Sequence, residues 1–225
     1  MSAAERRVVA IDGPSGSGKS TIGRGVAAAL DLDTLDTGAM YRAVTAAVLR
    51  AGVQPEDADG AAAIARSVEL GVDDGVTTLD GEDVSDEIRS PTVTAAVSAV
   101  AAHPAVRTVL VARQRAWVEA HDGGVVEGRD IGSVVFPDAP VKVYLTASQA
   151  ERARRRTLDE AAAQRDRTVE DVRSTMAARD AADAGRAASP LVTAPGALVV
   201  DTTDRTPADI VAEIVRAFRA AEGAT

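Results

Sequence analysis

The chain of 225 residues has no cysteine and only two histidines, so disulfides and thiolate metal sites are excluded and an all-histidine metal site is disfavoured. Aromatic residues make up only 2% of the chain, so Ala, Val, Leu and Ile must supply most of the core. The longest apolar stretch, residues 93–112, is interrupted by polar residues and by Pro104, which argues against a membrane span. The opening MSAAERRVVAIDG has no apolar segment of the kind found in signal peptides. We therefore expect a cytoplasmic protein without a membrane partner.

Positive charge is scarce and of an unusual kind. The net charge is −9, whereas a nucleic-acid-binding protein usually presents a basic field, so we expect no nucleic-acid partner. Only Lys19 and Lys142 are lysines, and all other basic residues are arginines. A high-GC genome would produce the same bias. Local arginine clusters on an acidic background also suit the binding of small polyphosphates.

Short Val- and Ile-rich runs alternate with longer helical patterns, which predicts a parallel sheet with helices on both faces. The predicted strands are 7–11, 33–36, 124–128, 141–145 and 197–201. The predicted helices are 20–30, 39–51, 92–120, 148–163 and 169–182, followed by a last helix that Thr206 caps at its N-terminus. The pattern shows no internal repeat and no linker, so we expect one domain with inserted modules.

Two stretches depart from this alternation. Residues 68–90 carry turn signals at DDG and DG between short β-like runs, which predicts a small antiparallel insert. Residues 152–186 are rich in arginine with acidic residues interleaved, a pattern typical of a solvated helix with many salt bridges.

The stretch GPSGSGKS fits the phosphate-binding pattern G-x-x-x-x-G-K-[ST], and it lies between a predicted strand and a predicted helix, as that pattern requires. Its glycines allow successive backbone N–H groups to face one anion, and the helix N-terminus adds partial positive charge. Lys19 is expected to reach the β- and γ-phosphates, and the Ser20 hydroxyl to bind Mg²⁺. The predicted nucleotide-binding residues are Gly13, Pro14, Ser15, Gly16, Ser17, Gly18, Lys19, Ser20 and Thr21.

Two classes of nucleotide-binding protein fit the sequence poorly. Switch-type GTPases read guanine with Asn-Lys-x-Asp, and this chain contains no asparagine. Motor-like ATPases carry an acidic residue at the end of an apolar strand, which Asp201 resembles. That strand is the last one and is expected at a sheet edge, so we interpret Asp201 as a strand end.

Three further stretches place polar residues where strands or helices end: LDTGAMYR (35–42), GRDIGS (128–133) and RDAADAGR (179–186). In an open α/β sheet, ligands bind beyond the carboxyl ends of the strands, so the first two stretches should face the same crevice as Lys19. Arg179, Asp183 and Arg186 share one face if their helix continues past Gly185. Arginines at these ends match bidentate phosphate recognition and predict a second phosphate-bearing substrate.

Several segments carry a resemblance to bacterial cytidylate kinases, of the nucleoside monophosphate kinase family. They are IDGPSGSGKST, LDTGAMYRA, GEDVSDEIR, VSAVAAHPAVR, RQR, GRDIGSVVFPDAPVKVYL and RDAADAGRAASPL, in order along nearly the whole chain. The resemblance implies an α/β P-loop kinase with a five-stranded parallel sheet, a small β-containing monophosphate-binding insert near residues 64–98 and a short arginine-rich lid near residues 152–183.

The resemblance also implies a set of residues around CMP. They are Thr37, Tyr41, Arg42, Ser98, Arg107, Arg129, Asp130, Arg179, Asp183 and Arg186. The family often has serine where this chain has Thr37, a departure that keeps the hydroxyl. Asp130 is expected to accept from cytosine N4, Arg107 and Ser98 to donate to the ring acceptors, and Asp183 with Arg179 to bind the ribose.

The implied reaction is transfer of a phosphoryl group from ATP to CMP, and to dCMP, with Mg²⁺ bound alongside ATP. The expected catalytic residues are Lys19, Arg129, Arg186 and Arg156, and the expected state is a monomer. Two alternatives remain open at this point. A related kinase would phosphorylate UMP or a metabolite hydroxyl and could recruit Asp36 as a base. A nucleotide-dependent switch would bind a partner protein without transferring phosphate.

Overall fold

The computed structural model describes residues 2–73, 75–162, 169–186 and 189–223. Within these ranges, eight strands form two separate sheets. The strands are β1 (Val8–Asp12), β2 (Thr34–Asp36), β3 (Leu70–Asp73), β4 (Val76–Leu79), β5 (Glu82–Asp83), β6 (Gly124–Gly128), β7 (Val141–Thr146) and β8 (Leu198–Asp201). The larger sheet is parallel with the order β2-β6-β1-β7-β8, and the smaller is antiparallel with the order β3-β4-β5. The predicted five strands are confirmed to within one residue at each end.

Helices surround the larger sheet. They are α1 (Lys19–Leu30), α2 (Thr37–Arg50), α3 (Ala58–Ser67), α4 (Pro91–Ala102), α5 (Pro104–Ala120), α6 (Gln149–Ala162), α7 (Val169–Ala184) and α8 (Pro207–Glu222). The predicted cap of the last helix is confirmed, because Thr206 Oγ1 accepts from Asp209 N at 3.2 Å. The sequence reading missed α3, an alanine-rich helix that contains Gly60 and is capped by Asp57.

The prediction of one helix over residues 92–120 was wrong. The structure has two helices, α4 and α5, bent by 95° relative to each other. Pro104 opens α5, and a residue before proline avoids the helical region, so His103 is extended at φ −72° and ψ 118°. Among the described residues no single helix has the length and apolar composition to cross a membrane, and α4 with α5 meets that test only as a bent pair.

Two hydrophobic clusters lie on opposite faces of the larger sheet. Alternate residues of β1 point to opposite faces, so Val8 and Ala10 belong to the first cluster and Val9 and Ile11 to the second. The first cluster joins the sheet to α2, α4, α5 and the insert, and the second joins it to α1 and α8. Neither cluster includes a described residue of α6 or α7. The expectation of helices on both faces is therefore confirmed.

The antiparallel insert predicted for residues 68–90 is confirmed as the sheet β3-β4-β5. Its turns use left-handed backbone at Gly75 (φ 80°) and Gly81 (φ 83°), which glycine adopts without strain. Leu79 of this sheet, with Val84 and Ile88 after it, is buried in the first cluster. The insert is thus continuous with the core that supports α2, α4 and α5.

Candidate active site

The functional side chains gather at the carboxyl ends of β1, β2 and β6. In the parallel register, Asp12 lies beside Gly128 and Asp36 lies beside Glu127. The segments that follow these strands therefore leave the sheet at one edge. They are the phosphate loop (residues 13–20), the start of α2 at Thr37 and the turn that contains Arg129 and Asp130.

The phosphate loop is shaped by glycines in close contact with neighbouring segments. Gly13 has φ 152°, and a Cβ on it would lie 2.2 Å from the Leu145 carbonyl oxygen of β7. Gly16 has φ 76°, and a Cβ there would lie 2.9 Å from the Arg152 carbonyl oxygen and from Met176 Cε. Only glycine fits at both positions, so the loop is held against β7 on one side and against α6 and α7 at its tip.

Lys19 lies inside the loop that it was predicted to serve. Its Nζ donates to the carbonyl oxygens of Gly13 at 2.8 Å and of Pro14 at 2.9 Å. Burial, together with the nearby Arg129 guanidinium, lowers the pKa of Lys19 to about 7. A negatively charged ligand in the loop would therefore favour the charged form of this amine.

Glu127 is a functional candidate that the sequence reading missed. Its side chain is buried at the end of β6 and its Oε2 accepts from Ser20 Oγ at 2.9 Å. Burial raises the pKa of this carboxyl to about 7. The available signal was an acidic residue within an otherwise apolar strand, GVVEG, adjacent to β1 in the sheet.

Asp201, the acidic strand end weighed in the sequence, behaves differently. It lies on β8 at the edge of the sheet, is exposed, and accepts hydrogen bonds from Thr203. Its interpretation as a strand end is confirmed.

Asp12 was also missed, although it ends the strand before the phosphate loop. Its two carboxylate oxygens accept from Ile131 N and from Gly132 N, each at 2.8 Å. These bonds hold the π-helical turn Ile131–Val135 against β1, directly after Asp130. Burial raises the pKa of Asp12 to about 6.

Asp183 of α7 holds two of the predicted phosphate-binding arginines. Its Oδ2 accepts from Arg129 Nε at 2.9 Å, and its Oδ1 accepts from Arg186 Nη2. Arg186 lies two residues beyond the end of α7, so the predicted helical face stops short of it. Asp183 forms ion pairs with Arg129 and Arg186. Its charge also acts on Arg179, where it opposes the lowering of the pKa by burial, and its expected action with Arg179 stays a prediction.

Three more arginines approach the same region from α2, α6 and α7. Arg42 Nη1 donates to Ile88 O at 2.8 Å and to Thr94 Oγ1 at 2.9 Å. Burial, together with the neighbouring cations Arg179 and Arg156, lowers the pKa of Arg42 to about 9. Burial likewise lowers the pKa of Arg179 to about 10. Guanidinium groups that depress each other's pKa are close in space, as expected of a site for a polyanion.

The residues expected to read the base form a buried group between α2, α5 and β6. Arg107 Nη2 donates to Asp130 Oδ2, and the Arg107 guanidinium carbon lies 5.3 Å from the centre of the Tyr41 ring. Burial raises the pKa of Tyr41 to about 12. Thr37 Oγ1 donates to Glu127 O at 2.7 Å, which joins this group to the phosphate loop side. Ser98 is half-buried on α4 and remains a prediction.

Unpaired polar atoms concentrate in this group. Among the described residues, the Nε atoms of Arg107, Arg179 and Arg186 are buried without a hydrogen-bond partner. The buried Tyr41 hydroxyl lies next to the side chain of Gln114, a buried residue that the sequence reading did not assign. Buried donors left unpaired cost about 1–3 kcal/mol each, so this group fits a polar ligand that would satisfy them.

Comparison of the sequence with known proteins identifies the family of this chain. The family model described as cytidylate kinase matches residues 9–220. A cytidylate kinase from Mycobacterium avium is 54% identical over 208 residues, which cover 91% of each chain. A cytidylate kinase from Caldanaerobacter subterraneus is 44% identical over 211 residues, which cover 94% of each chain.

A solved gluconokinase structure from Sinorhizobium meliloti 1021 aligns over 97% of this chain and 95% of its own, with a TM-score of 0.49 and 16% identity. The family assignment rests on the sequence matches, which extend over nearly the whole chain and include both the phosphate loop and the arginine-bearing segments. The chain belongs to the cytidylate kinase family.

Proposed function

We propose that this protein transfers the γ-phosphoryl group of ATP to CMP, and to dCMP, giving ADP and CDP or dCDP. The observation that carries the proposal is the juxtaposition of two anion sites at one edge of the sheet. The phosphate loop follows β1, and the arginine-bearing turn follows the adjacent strand β6. A donor and an acceptor that each carry phosphate would meet between them.

The donor site is the phosphate loop, residues 13–21. Its backbone N–H groups and the N-terminus of α1 would bind the β- and γ-phosphates. Lys19 Nζ, which donates to two loop carbonyls without ligand, would exchange those bonds for phosphate oxygens. The exchange would pair a buried ammonium with negative charge, which favours its charged form.

The residues at the end of the loop suit Mg²⁺. Ser20 Oγ and the Glu127 carboxylate present hard oxygen donors close together, and Mg²⁺ prefers such donors and usually completes its shell with water and phosphate oxygens. The described residues contain no cluster of three or more His, Asp or Glu arranged as a metal site, so Ser20 is the protein group expected to hold the ion. Bound there, Mg²⁺ would neutralise charge on the phosphates of ATP.

The acceptor phosphate would be bound by Arg42, Arg129 and Arg186, whose guanidinium forks match phosphate oxygens. Arg129 and Arg186 are oriented by Asp183, so little side-chain entropy is lost when the ligand arrives. Arg156 of α6 lies near Arg42 and Arg179 and would neutralise charge on the transferring group. Arg179, together with Asp183, would bind the ribose hydroxyls of the acceptor.

The cytosine base would lie in the buried group around Tyr41. Asp130 would accept from the N4 amino group, and Arg107 and Ser98 would donate to O2 and N3. Uracil presents an acceptor where cytosine presents its amino group, and two acceptors facing each other in a buried site cost free energy. Selection for cytosine would therefore rest on Asp130.

The reaction needs no general base. The attacking oxygen of CMP belongs to a phosphate that is already ionised at neutral pH, so no proton has to be removed. A bond forms between this oxygen and the γ-phosphorus of ATP. At the same time the bond between the γ-phosphorus and the oxygen that bridges it to the β-phosphorus breaks, and ADP leaves. The chain's contribution is to align the two phosphates, neutralise charge through Lys19 and the arginines, and exclude water that would hydrolyse ATP.

An acceptor panel tests this function. ADP release would be measured with Mg-ATP and CMP, dCMP, UMP, AMP or shikimate-like alcohols, and rapid turnover is expected with CMP and dCMP only. Equal turnover of UMP and CMP would disprove the base-reading role of Asp130, Arg107 and Ser98. Slow ATP hydrolysis that CMP does not change would favour a nucleotide-dependent switch. We also propose that the protein acts as a monomer in the cytoplasm, where both nucleotides are available.

A further inference from the structure

An ion pair between α6 and α7 contacts the tip of the phosphate loop. Ser15 N donates to Asp180 Oδ1 of α7 at 3.2 Å, and Arg152 Nη1 of α6 donates to Ser15 O at 3.0 Å. Arg152 and Asp180 also pair with each other. Both backbone polar groups of Ser15 are thus occupied by the two charged side chains, and we call this arrangement the Ser15 clasp.

The clasp is mostly shielded from water. The Arg152 side chain is 10% exposed and that of Asp180 is 18% exposed, so solvent screens the pair less than a surface ion pair. The adjacent Gly16 approaches the Arg152 backbone and Met176 of α7 so closely that no Cβ would fit. The loop tip is therefore packed against both helices.

The same C-terminal turn of α7 also reaches the acceptor side. Asp183, three residues after Asp180, lies on the same face of the helix and holds Arg129 and Arg186. One helical turn thus carries two carboxylates, of which one binds the donor loop and the other binds the acceptor arginines. Neither hydrophobic cluster includes a described residue of α6 or α7, although Ala153, Val172 and Met176 of these helices are buried. Polar contacts therefore act together with this local apolar packing in the docking of the two helices.

We propose that the Ser15 clasp couples the two nucleotide sites, with Asp180 and Arg152 as positioning residues. The inference rests on the proposed function, because it requires that ATP binds at the phosphate loop and that CMP binds at Arg129 and Arg186. A ligand on Arg129 and Arg186 favours the docked position of α7, and docked Asp180 holds Ser15 in the loop. CMP therefore tightens the binding of ATP, and by thermodynamic linkage ATP tightens the binding of CMP by the same factor.

The test is a set of calorimetric titrations with CMP and with the Mg²⁺ complex of a non-hydrolysable ATP analogue, each with and without the other ligand. The wild-type protein is expected to show a reciprocal coupling factor of about fivefold or more. Asp180→Asn and Arg152→Gln should each bring that factor to about one. Asp180→Glu, which keeps the carboxylate, should restore part of the coupling.

Arg154→Gln is the matched control, because Arg154 lies on the same helix, its side chain is exposed, and it pairs with Glu151 of the same helix. It should keep the wild-type factor. A merely structural role for the clasp would change the melting temperature or the active fraction without changing the coupling factor. If Asp180→Asn fails to fold, Arg152→Gln and Asp180→Glu still decide the question.

Three outcomes would count against the idea in distinguishable ways. A wild-type protein that binds both nucleotides without coupling refutes the clasp proposal, and so do clasp variants that keep the wild-type factor. In either case the proposed function stands, because both nucleotides bind. A wild-type protein that binds neither nucleotide refutes the proposed function itself.

Discussion

Arg107 of α5 and Asp130, which follows β6, form an ion pair in which each side chain is only 5% exposed. Tyr41 stacks over the same guanidinium at 5.3 Å. Breaking a buried pair leaves an uncompensated charge that costs about 3–5 kcal/mol, so these side chains are firmly oriented before any ligand arrives. The proposed base site is therefore preorganised by the chain's own charges.

The first prediction concerns Asp130. Asp130→Asn keeps the shape of the side chain but replaces one acceptor oxygen by a donor, which suits the uracil edge better than the cytosine edge. We expect kcat/KM for CMP to fall by about 10²-fold or more relative to that for UMP. ADP-release kinetics with both acceptors would measure the ratio. An unchanged ratio would show that another residue reads the base.

The second prediction concerns Lys19. Lys19→Met removes the ammonium that lies inside the phosphate loop, and loss of one preorganised charge should lower kcat by about 10²–10³-fold. Lys142→Met is the matched control, because Lys142 donates to Pro137 O away from the loop. The control should keep most of its activity in the same ADP-release assay. Similar losses in the two variants would contradict the role of Lys19.

The third prediction concerns stability and pH. Burial raises the pKa of Glu127 from 4.5 to about 7 in the folded protein, so the folded state binds this proton more tightly than the unfolded state. The free energy of unfolding therefore falls as pH rises from about 4.5 to about 7. Glu127→Gln, which cannot ionise, should be more stable than the wild type by about 1–3 kcal/mol at pH 8 and equally stable at pH 4.

Urea denaturation of the ligand-free protein at several pH values would measure this difference. Glu56→Gln is the control, because Glu56 is exposed in the segment before α3. Because this variant keeps Glu127, its stability should match that of the wild type at each pH. A Glu127→Gln protein that is less stable than the wild type at pH 8 would mean that the ionised carboxylate stabilises the fold.

The fourth prediction compares two glycines with similar backbone. A Cβ added to Gly16 (φ 76°) would collide with Arg152 and Met176, whereas a Cβ added to Gly52 (φ 69°) would have no atom within 4 Å. In Gly52→Ala the free energy of unfolding should fall only by the cost of a left-handed backbone at alanine, about 1–2 kcal/mol. Gly16→Ala should lose more and should also reduce kcat/KM by at least about tenfold, because the loop tip separates from α6 and α7. Equal losses of stability and activity in both variants would argue against this contact.

The strands and the phosphate loop were predictable because their signals are local. Continuous apolar runs mark β1 and β6, and the glycine pattern marks the loop between β1 and α1. Asp12 and Glu127 were overlooked although each stands in a buried strand, where an acidic residue needs partners that only the assembled sheet supplies. The Ser15 clasp could not be predicted, because it joins residues from three separate segments.

The kink between α4 and α5 corrects an inconsistency in the sequence reading. Ser98 and Arg107 are nine positions apart (107 − 98 = 9), about two and a half turns of a straight helix, which would place them on opposite faces. A single helix over 92–120 was therefore incompatible with both residues reading one base. The proline at the first turn of α5 changes the helix direction, so the straight-helix argument against a shared base contact no longer applies.

The separation of α6 and α7 from both hydrophobic clusters has a consequence for local opening. A segment that packs outside both clusters, with Val172 and Met176 as the buried apolar side chains of the described part of α7, can detach while the sheet and its flanking helices stay folded. In deuterated buffer the amide protons of α7 should exchange long before those of β1 and β6. Saturating both nucleotide sites should slow exchange in α7 and leave the rates in the central strands unchanged.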